Sequence, residues 1–190
     1  MSSIASRLDS LREKLSDEAF LSNKGLSNEV GLYIFAYHPN EEMAVRHFVA
    51  EQAALPHADY RVIRFDLYDI LLKICADRRI LDRIPQMEIQ RGQDFILKQV
   101  QKLAPPEAYV SAMQYADHQP GDVVFITGVG RVFPYMRSHH ILNNLQHVFD
   151  DAPVVLFYPG EYTGQSLNLF EKFMDDNYYR AFNLIGDQHE

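Results

Sequence analysis

Short apolar runs alternate with helical patterns along most of the chain. The runs at residues 32–37, 62–65, 123–126 and 154–158 consist mainly of β-branched, aromatic and aliphatic residues and have the length of strands. Residues 178–185 predict a fifth strand. Strands that alternate with helices favour a parallel sheet covered on both faces. The pattern therefore predicts one α/β domain with a mostly parallel, five-stranded sheet and helices on both faces.

Three further helical segments are predicted from the spacing of apolar residues. Residues 1–22 predict an amphipathic helix that caps the sheet or docks on a partner, because four apolar residues recur at helical spacing: Ile4, Leu8, Leu11 and Leu15. Residues 77–119 are charged and interrupted by prolines, which indicates an insertion of two helices. A short helix is expected after the fourth strand, with the apolar residues Leu167, Leu169, Phe170 and Phe173.

Residues 121–148 combine a buried strand, a glycine-rich loop and an amphipathic helix in unbroken succession. The strand pattern ends near Thr127, and helical spacing begins near Ser138, which is a plausible N-cap. The loop between them, residues 128–137, follows a central strand. Open α/β sheets place their binding crevices at the carboxyl ends of such strands. Any function is therefore expected to concentrate around this loop.

Composition narrows the class of protein. A chain of 190 residues with 47% hydrophobic content suits one domain around a single core. Its formal net charge of -8 argues against direct binding to a polyanion. The single cysteine, Cys75, lies in an apolar helical pattern, which excludes a disulfide framework and favours burial. No apolar run approaches the roughly 20 residues of a membrane span, and no signal-peptide pattern is present, so we expect a cytoplasmic protein.

The order of elements resembles the layout of P-loop NTPases, in which the turn after the first strand holds phosphate. Here the equivalent turn, residues 36–42, has no glycine and no lysine and carries Glu41 and Glu42. Phosphate binding at that turn is therefore disfavoured. The third strand ends at Thr127 without an acidic residue to hold magnesium. A layout of this kind would be degenerate, and the sequence predicts no catalytic residue and no cofactor.

Two other kinds of site are weakly indicated. Gly128 and Gly130 form a GxG pattern, but the third glycine of a dinucleotide fingerprint would fall at Phe133. Metal-ligand chemistry is available near the carboxyl edge of the sheet from His38, Glu42, His139, His140 and Glu161. Adjacent helical side chains point about 100° apart, and no ligand pair has the spacing of a zinc motif. The sequence therefore predicts no metal site.

Aromatic and arginine residues are concentrated in the loops at the sheet edge. Tyrosine and arginine are enriched at protein interfaces, although such rings also fill sheet edges. The candidate interaction surface consists of Arg131, Phe133, Tyr135, Arg137, His139, Glu161, Tyr162, Tyr179 and Arg180. Arg131 and Arg137 are expected to be dispensable for stability. The alternative is that they are structural and pair with Asp66 or Glu161.

Four blocks carry a family resemblance: IFAYHPNEE, GVGRVFPYMRSHHILNNLQ, VVLFYPGEYTGQSLNLF and DDNYYRAFNLI. In this order they resemble the BrxB family, a small core component of BREX bacteriophage-defence systems, and the resemblance covers nearly the whole chain. It implies membership of a multi-protein system that methylates host DNA and blocks phage replication. The family has no established catalytic residues to carry over to this chain. The resemblance implies an adaptor whose first candidate partner is the alkaline-phosphatase-like component, PglZ, and which contacts DNA only through partners.

Two functional hypotheses from different classes stay open. The first is a non-enzymatic adaptor that uses the carboxyl-edge loops and the N-terminal helix. The second is a nucleotide-binding or metal-dependent enzyme with a degenerate P-loop-like site. Incomplete phosphate-binding and metal-binding residue sets favour the first. We therefore expect ATP with magnesium to leave the thermal midpoint unchanged, and the isolated protein to bind duplex DNA weakly at physiological salt.

Overall fold

The computed structural model describes residues 2–22, 31–145, 148–149, 152–164, 166–175 and 181–185. Its strands are β1 (Leu32–Tyr37), β2 (Arg61–Asp66), β3 (Asp122–Thr127), β4 (Val154–Tyr162), β5 (Leu167–Leu169), β6 (Phe173–Asp175) and β7 (Phe182–Asn183). Five of them form a parallel sheet in the order β2-β3-β4-β1-β7. The other two, β5 and β6, extend the far end of β4 as an antiparallel hairpin.

The helices are α1 (Ile4–Leu15), α2 (Glu18–Leu21), α3 (Glu42–Ala54), α4 (Leu67–Asp77), α5 (Ile84–Arg91), α6 (Gln93–Leu103), α7 (Pro106–Ala112), α8 (Val129–Val132) and α9 (Ser138–Leu145). Two single 3-10 turns precede α3 and α5, at Pro39–Glu41 and Leu81–Arg83. No helix among the described residues has the length and apolar character needed to cross a bilayer.

Alternation of side chains along each strand divides the core into two halves. In β1, Tyr33 and Phe35 face one half, whereas Leu32 and Ile34 face the other. This two-residue period is the normal consequence of strand geometry. Apolar residues of α1, α2 and α3 cover the first face, and those of α4, α6, α7, α8 and α9 cover the second. The predicted α/β class, with a mostly parallel sheet and helices on both faces, is therefore confirmed.

The predicted N-terminal helix forms, and its apolar stripe is buried against the sheet domain. Leu11 and Leu15 have no exposed surface, and Leu8 retains 8%. The helix begins at an N-cap, Ser3, whose hydroxyl accepts a hydrogen bond from the backbone N–H of Ser6 at 3.2 Å. Because the stripe already packs inside the domain, α1 caps the sheet in this structure.

The short helix predicted after the fourth strand is wrong, because these residues form the hairpin of β5 and β6. Leu167 and Leu169 are buried while Asn168 between them is half exposed, so the true period is two residues. Phe170 and Glu171 have positive φ angles of 54° and 58°, which turns the chain between the two strands.

The helical insertion is also more divided than the sequence pattern suggested. Residues 77–119 contain three helices, α5 to α7, instead of two, because Gly92 at φ 81° separates α5 from α6. Within the described part of the predicted fifth strand only Phe182–Asn183 is a strand, and residues 178–180 lie outside the described ranges. Cys75 is buried in the core, as expected.

Candidate functional site

A cleft of about 350 Å³ opens at the carboxyl ends of β1, β2 and β3. The chain leaves β1 into α3 on one face of the sheet and leaves β3 into α8 on the other face. Helices that diverge in this way open a crevice above the strand ends. The charged side chains lining this carboxyl-edge cleft are Glu42, Arg46, Arg64, Asp66, Asp69 and Arg131.

Asp66 is the buried centre of this cleft, with 8% of its surface exposed. It ends β2 and caps α4: its Oδ1 accepts hydrogen bonds from the backbone N–H groups of Tyr68 and Asp69, at 3.0 and 3.2 Å. Its Oδ2 accepts from the Thr127 hydroxyl at 3.0 Å and lies 2.5 Å from Nη2 of Arg131. Four intrachain donors thus occupy both oxygens.

The balance of burial and hydrogen bonding keeps Asp66 ionised. Burial by itself raises the pKa of this carboxyl. The hydrogen bonds from Arg131, from the backbone N–H of Asp69 and from Thr127 outweigh it, so the pKa is lowered. A carboxylate that is ionised and saturated with donors has no lone pair to spare for abstracting a proton.

Gly128 allows the chain to pass closely over Asp66. It adopts φ 80°, in the left-handed region, at the turn from β3 into α8. A Cβ at this position would lie 2.4 Å from Oδ1 of Asp66. The absence of a side chain at Gly128, directly after the central strand, therefore lets the backbone approach this carboxylate closely.

A second cluster lines the opposite wall of the cleft. The Tyr37 hydroxyl donates to Oε2 of Glu42 at 2.5 Å, and Nε of Arg46 donates to Oε1 of Glu42 at 2.7 Å. Burial raises the pKa of Tyr37, and the hydrogen bond to Glu42 raises it further, so the phenol stays protonated. Both oxygens of Glu42 are thus occupied by intrachain donors.

The turn after β1 is closed by its own side chains. Nδ1 of His38 accepts from the N–H of Asn40 at 3.2 Å, and Oε2 of Glu41 accepts from the N–H of His38 at 3.1 Å. This reciprocal capping occupies the backbone N–H groups that a phosphate would need. The N–H groups of His38 and Asn40 therefore already have acceptors within the turn.

The structure separates the two arginines of the predicted interaction surface. Arg131 points into the cleft, where it pairs with Asp66 and lies 5.3 Å above the Tyr68 ring. Arg137 is exposed on the other side of the loop, in a small groove that it lines together with Phe133 and Phe173. The structural alternative therefore applies to Arg131, with Asp66 as its partner.

Phe133 and Tyr135 are half buried, and Phe133 makes an aromatic contact outside its own loop. The rings of Phe133 and Phe173 lie 4.8 Å apart, which ties the loop to the β5–β6 hairpin. The rings of His139 and His140 are neighbours at 3.9 Å. Among the residues described, no three His, Cys, Asp or Glu side chains are arranged to hold a metal ion.

The remaining predicted surface residues differ in accessibility. Glu161 is exposed, and its Oε2 lies 3.5 Å from Nδ2 of Asn168 in the hairpin. Tyr162 is buried, and its hydroxyl lies 2.7 Å from the carbonyl oxygen of Ala181, so it packs inside the domain instead of facing a partner. Tyr179 and Arg180 lie outside the described residues.

Sequence reasoning missed the arginines on the cleft walls. Arg46 and Arg64 join the site only because α3 and β2 meet at the same sheet edge. The local signal was modest: Arg64 is a charged residue inside an apolar strand pattern, which indicates an edge strand with an exposed side.

Comparison with known proteins gives consistent matches. A family model described as "BREX protein BrxB" matches residues 63–184. A protein of Bacillus cereus (strain H3081.97) described as "BREX protein BrxB" is 47% identical over 190 residues, covering 97% of this chain and 99% of that protein. A protein of Escherichia coli O9:H4 (strain HS), with the same description, is 30% identical over 185 residues, covering 95% of this chain and 91% of that protein. No solved structure matches the chain significantly.

Proposed function

Because the chain belongs to the BrxB family of BREX phage-defence components, we propose that it is a non-enzymatic adaptor that binds another protein of its system. The first candidate partner is the alkaline-phosphatase-like component, PglZ. DNA is reached only through partners, since the net charge of -8 opposes binding to a polyanion.

The observation that carries this proposal is an exposed aromatic and arginine cluster beside the cleft. We define it as the carboxyl-edge platform, formed by Phe133, Arg137 and Phe173. Phe173 is 48% exposed although it is a large apolar residue. Its ring packs at a tilt against the ring of half-buried Phe133, and Arg137 lines the same small groove as these two residues. Aromatic residues and arginine on a rigid element are typical of interface anchors.

The hydrogen bonding of the two acids in the cleft also supports a binding role. A catalytic carboxylate needs a free lone pair or an exchangeable proton near a substrate. In the cleft, four intrachain donors saturate Asp66, and each oxygen of Glu42 accepts one further intrachain hydrogen bond. Their charges therefore stabilise the strand ends and the walls of the cleft.

Co-purification tests the proposal. The protein is expressed with each component of its BREX system, PglZ first, and complexes are resolved by size exclusion. We expect one stable complex. Arg137→Glu should abolish the complex, because reversing the charge of an interface anchor removes a large part of the binding energy. Arg78→Glu, at the exposed C-terminal end of α4 and so at the opposite edge of the sheet, makes the same charge change and should leave the complex intact.

One observation favours the enzyme hypothesis: the cleft lies where α/β sheets bind ligands. A thermal-shift titration with ATP and magnesium discriminates between the two functions. A ligand at 100 times its dissociation constant adds about 2.7 kcal/mol of stability. The adaptor hypothesis expects no shift, and a reproducible rise of several degrees would replace it with the enzyme hypothesis.

A further inference from the structure

The carboxyl-edge cleft has unused hydrogen-bond donors on two of its arginines. Both oxygens of Glu42 and both of Asp66 accept from groups of the chain itself. Arg46, by contrast, is bonded through Nε alone. Nη2 of Arg64 is 3.8 Å from the nearest Asp66 oxygen, which is beyond hydrogen-bond distance. Within the described ranges, neither guanidinium has a further hydrogen bond.

These spare donors match an oxyanion. A guanidinium presents five N–H groups in a planar fork, which fits a carboxylate or a phosphate. The side chains of Arg46 and Arg64 are 49% and 42% exposed, so a ligand can reach them. Glu42 and Asp66 are each neutralised by an arginine within 2.7 Å. Asp69, 63% exposed and 3.6 Å from Arg131, is the remaining acid on the wall.

The shape of the site favours an extended chain over a compact anion. A second groove of about 360 Å³ runs along β2 and α4 and shares Arg64, Asp66 and Asp69 with the cleft. It continues past Phe65 to Lys73. In the described sheet, β2 stands at the end of the strand order and pairs only with β3, so no described strand bonds to its outer backbone edge. Extended peptides bind proteins by adding a strand to such an edge.

We propose that the cleft and the β2 groove together bind an extended acidic segment of a protein partner. The segment pairs with the edge of β2 and places carboxylates on the guanidinium groups of Arg46 and Arg64. This rests on the proposed adaptor function, because the segment belongs to the bound component. It adds a second contact to the one at the carboxyl-edge platform and names the chemistry that this contact recognises.

A peptide assay tests the recognition without any knowledge of the partner. The probe is a fluorescent peptide of alternating valine and glutamate, compared by anisotropy with the same peptide carrying glutamine. The glutamate peptide should bind at least about tenfold more tightly, as expected when charge-assisted hydrogen bonds are made. The double variant Arg46→Gln and Arg64→Gln should remove that preference. The control Lys98→Gln and Lys102→Gln makes the same change of charge on exposed α6 and should retain it.

A charge swap guards against a variant that merely misfolds. Arg46→Glu with Arg64→Glu should lose the glutamate peptide and gain a matched lysine peptide. Equal binding of the glutamate and glutamine peptides by the wild-type protein would overturn the proposal. Displacement of the glutamate peptide by millimolar inorganic phosphate, with the same dependence on the two arginines, would replace it with a small-anion site.

The co-purification assay keeps this proposal distinct from the adaptor function. If the wild-type protein holds its partner and the Arg46→Gln, Arg64→Gln variant holds it equally well, the adaptor function stands and the acidic-segment site is wrong. If the wild-type protein binds no component, the adaptor function fails, and the peptide assay alone decides whether the groove recognises acidic chains.

Discussion

The two ends of the β2–β3 pair each carry one buried aspartate, and the two sites differ in openness. At the amino end, Asp122 is 2% exposed and accepts from Nε and Nη2 of Arg61 at 2.7 and 2.8 Å. It also accepts from the Tyr115 hydroxyl and from the N–H of Gln119, both at 2.9 Å. At the carboxyl end, Asp66 has a similar set of four donors but forms part of a cleft.

The same chemical arrangement has different surroundings at the two ends. Around Asp122 the bidentate arginine and the chain before β3 close on the carboxylate, so the cluster fixes the start of the strand pair. Around Asp66 the same kind of pairing holds Arg131 and leaves the neighbouring Arg46 and Arg64 with spare donors. The carboxyl end of a parallel sheet is the functional end because its loops diverge. We therefore expect changes at Asp122 to act on stability and changes around Asp66 to act on binding as well.

The largest effect is expected from Asp122→Ala. Removing the carboxylate takes an acceptor away from Arg61, Tyr115 and the backbone N–H of Gln119, and losing these hydrogen bonds costs about 3 to 4 kcal/mol together. The partly exposed guanidinium of Arg61 places the effect at the low end of the range. Urea unfolding followed by circular dichroism measures it, with Glu13→Ala on exposed α1 surface as the control. A loss below about 1 kcal/mol would show that the closed site is not structural.

Gly128→Ala should cost about 2 kcal/mol or more, because it combines a left-handed backbone with a clash against Asp66. Gly164→Ala is the control: its φ of 86° is close to that of Gly128, but nothing lies within 4 Å of its added Cβ. The control should show only the conformational cost of about 1 kcal/mol. Equal losses in the two variants would mean that close approach to Asp66 is unimportant. The measurement is the free energy of unfolding in urea.

Arg131→Ala should lower the free energy of unfolding by about 1 kcal/mol, because Asp66 loses one of its four donors while the other three remain. Its side chain is 37% exposed, so solvent screening reduces the contribution of the ion pair. Arg137→Ala, on the exposed side of the same loop, should change stability by no more than about 0.5 kcal/mol. Thermal melts of the two single variants separate these outcomes, and identical melts would remove the distinction between them.

The pKa values of the two aspartates predict the smallest effect, a loss of folding stability that becomes measurable only in acid. Burial raises each pKa, but arginine and the other donors lower both below the ordinary carboxyl value. A lowered pKa in the folded state means that the unfolded chain binds protons first as pH falls. The resulting stability is complete above the ordinary pKa of about 3.9 and is lost as pH falls towards the folded values.

The measurement is the free energy of unfolding from pH 7 to pH 2, for the wild-type protein, Asp66→Asn and Asp122→Asn. Each variant should depend less steeply on pH below about 4 than the wild-type protein does. Asparagine at position 66 keeps the helix cap, so its stability at pH 7 should fall less than that of Asp122→Asn. An unchanged acid limb in both variants would show that neither aspartate is held by its arginine.

Local pattern was enough to predict much of the fold. Four apolar runs became β1 to β4, and the leucine stripe of the N-terminal helix became the buried face of α1. These features depend on residues close together in sequence, where strand and helix periods are visible. The β5–β6 hairpin was missed because four apolar residues in a short segment fit either period, and its pairing with the end of β4 decided between them.

The candidate site was predicted only in its position. The loop after β3 was correctly placed at the carboxyl edge, yet the roles of its two arginines were not distinguished. Arg131 pairs with Asp66, 65 positions earlier in the chain, because β2 and β3 are neighbours in register, with Asp66 opposite Thr127. Strand order of this kind leaves no periodic trace in a single sequence.

The sequence by itself therefore determined the α/β class, the strands of the central sheet and the glycine at position 128. Only the tertiary structure decided the order of the strands, which charges meet across the cleft, and that Arg46 and Arg64 keep spare donors. The physical reason is range. Backbone periodicity and capping act over a few residues, whereas ion pairing and groove shape depend on how distant strands and helices are packed together.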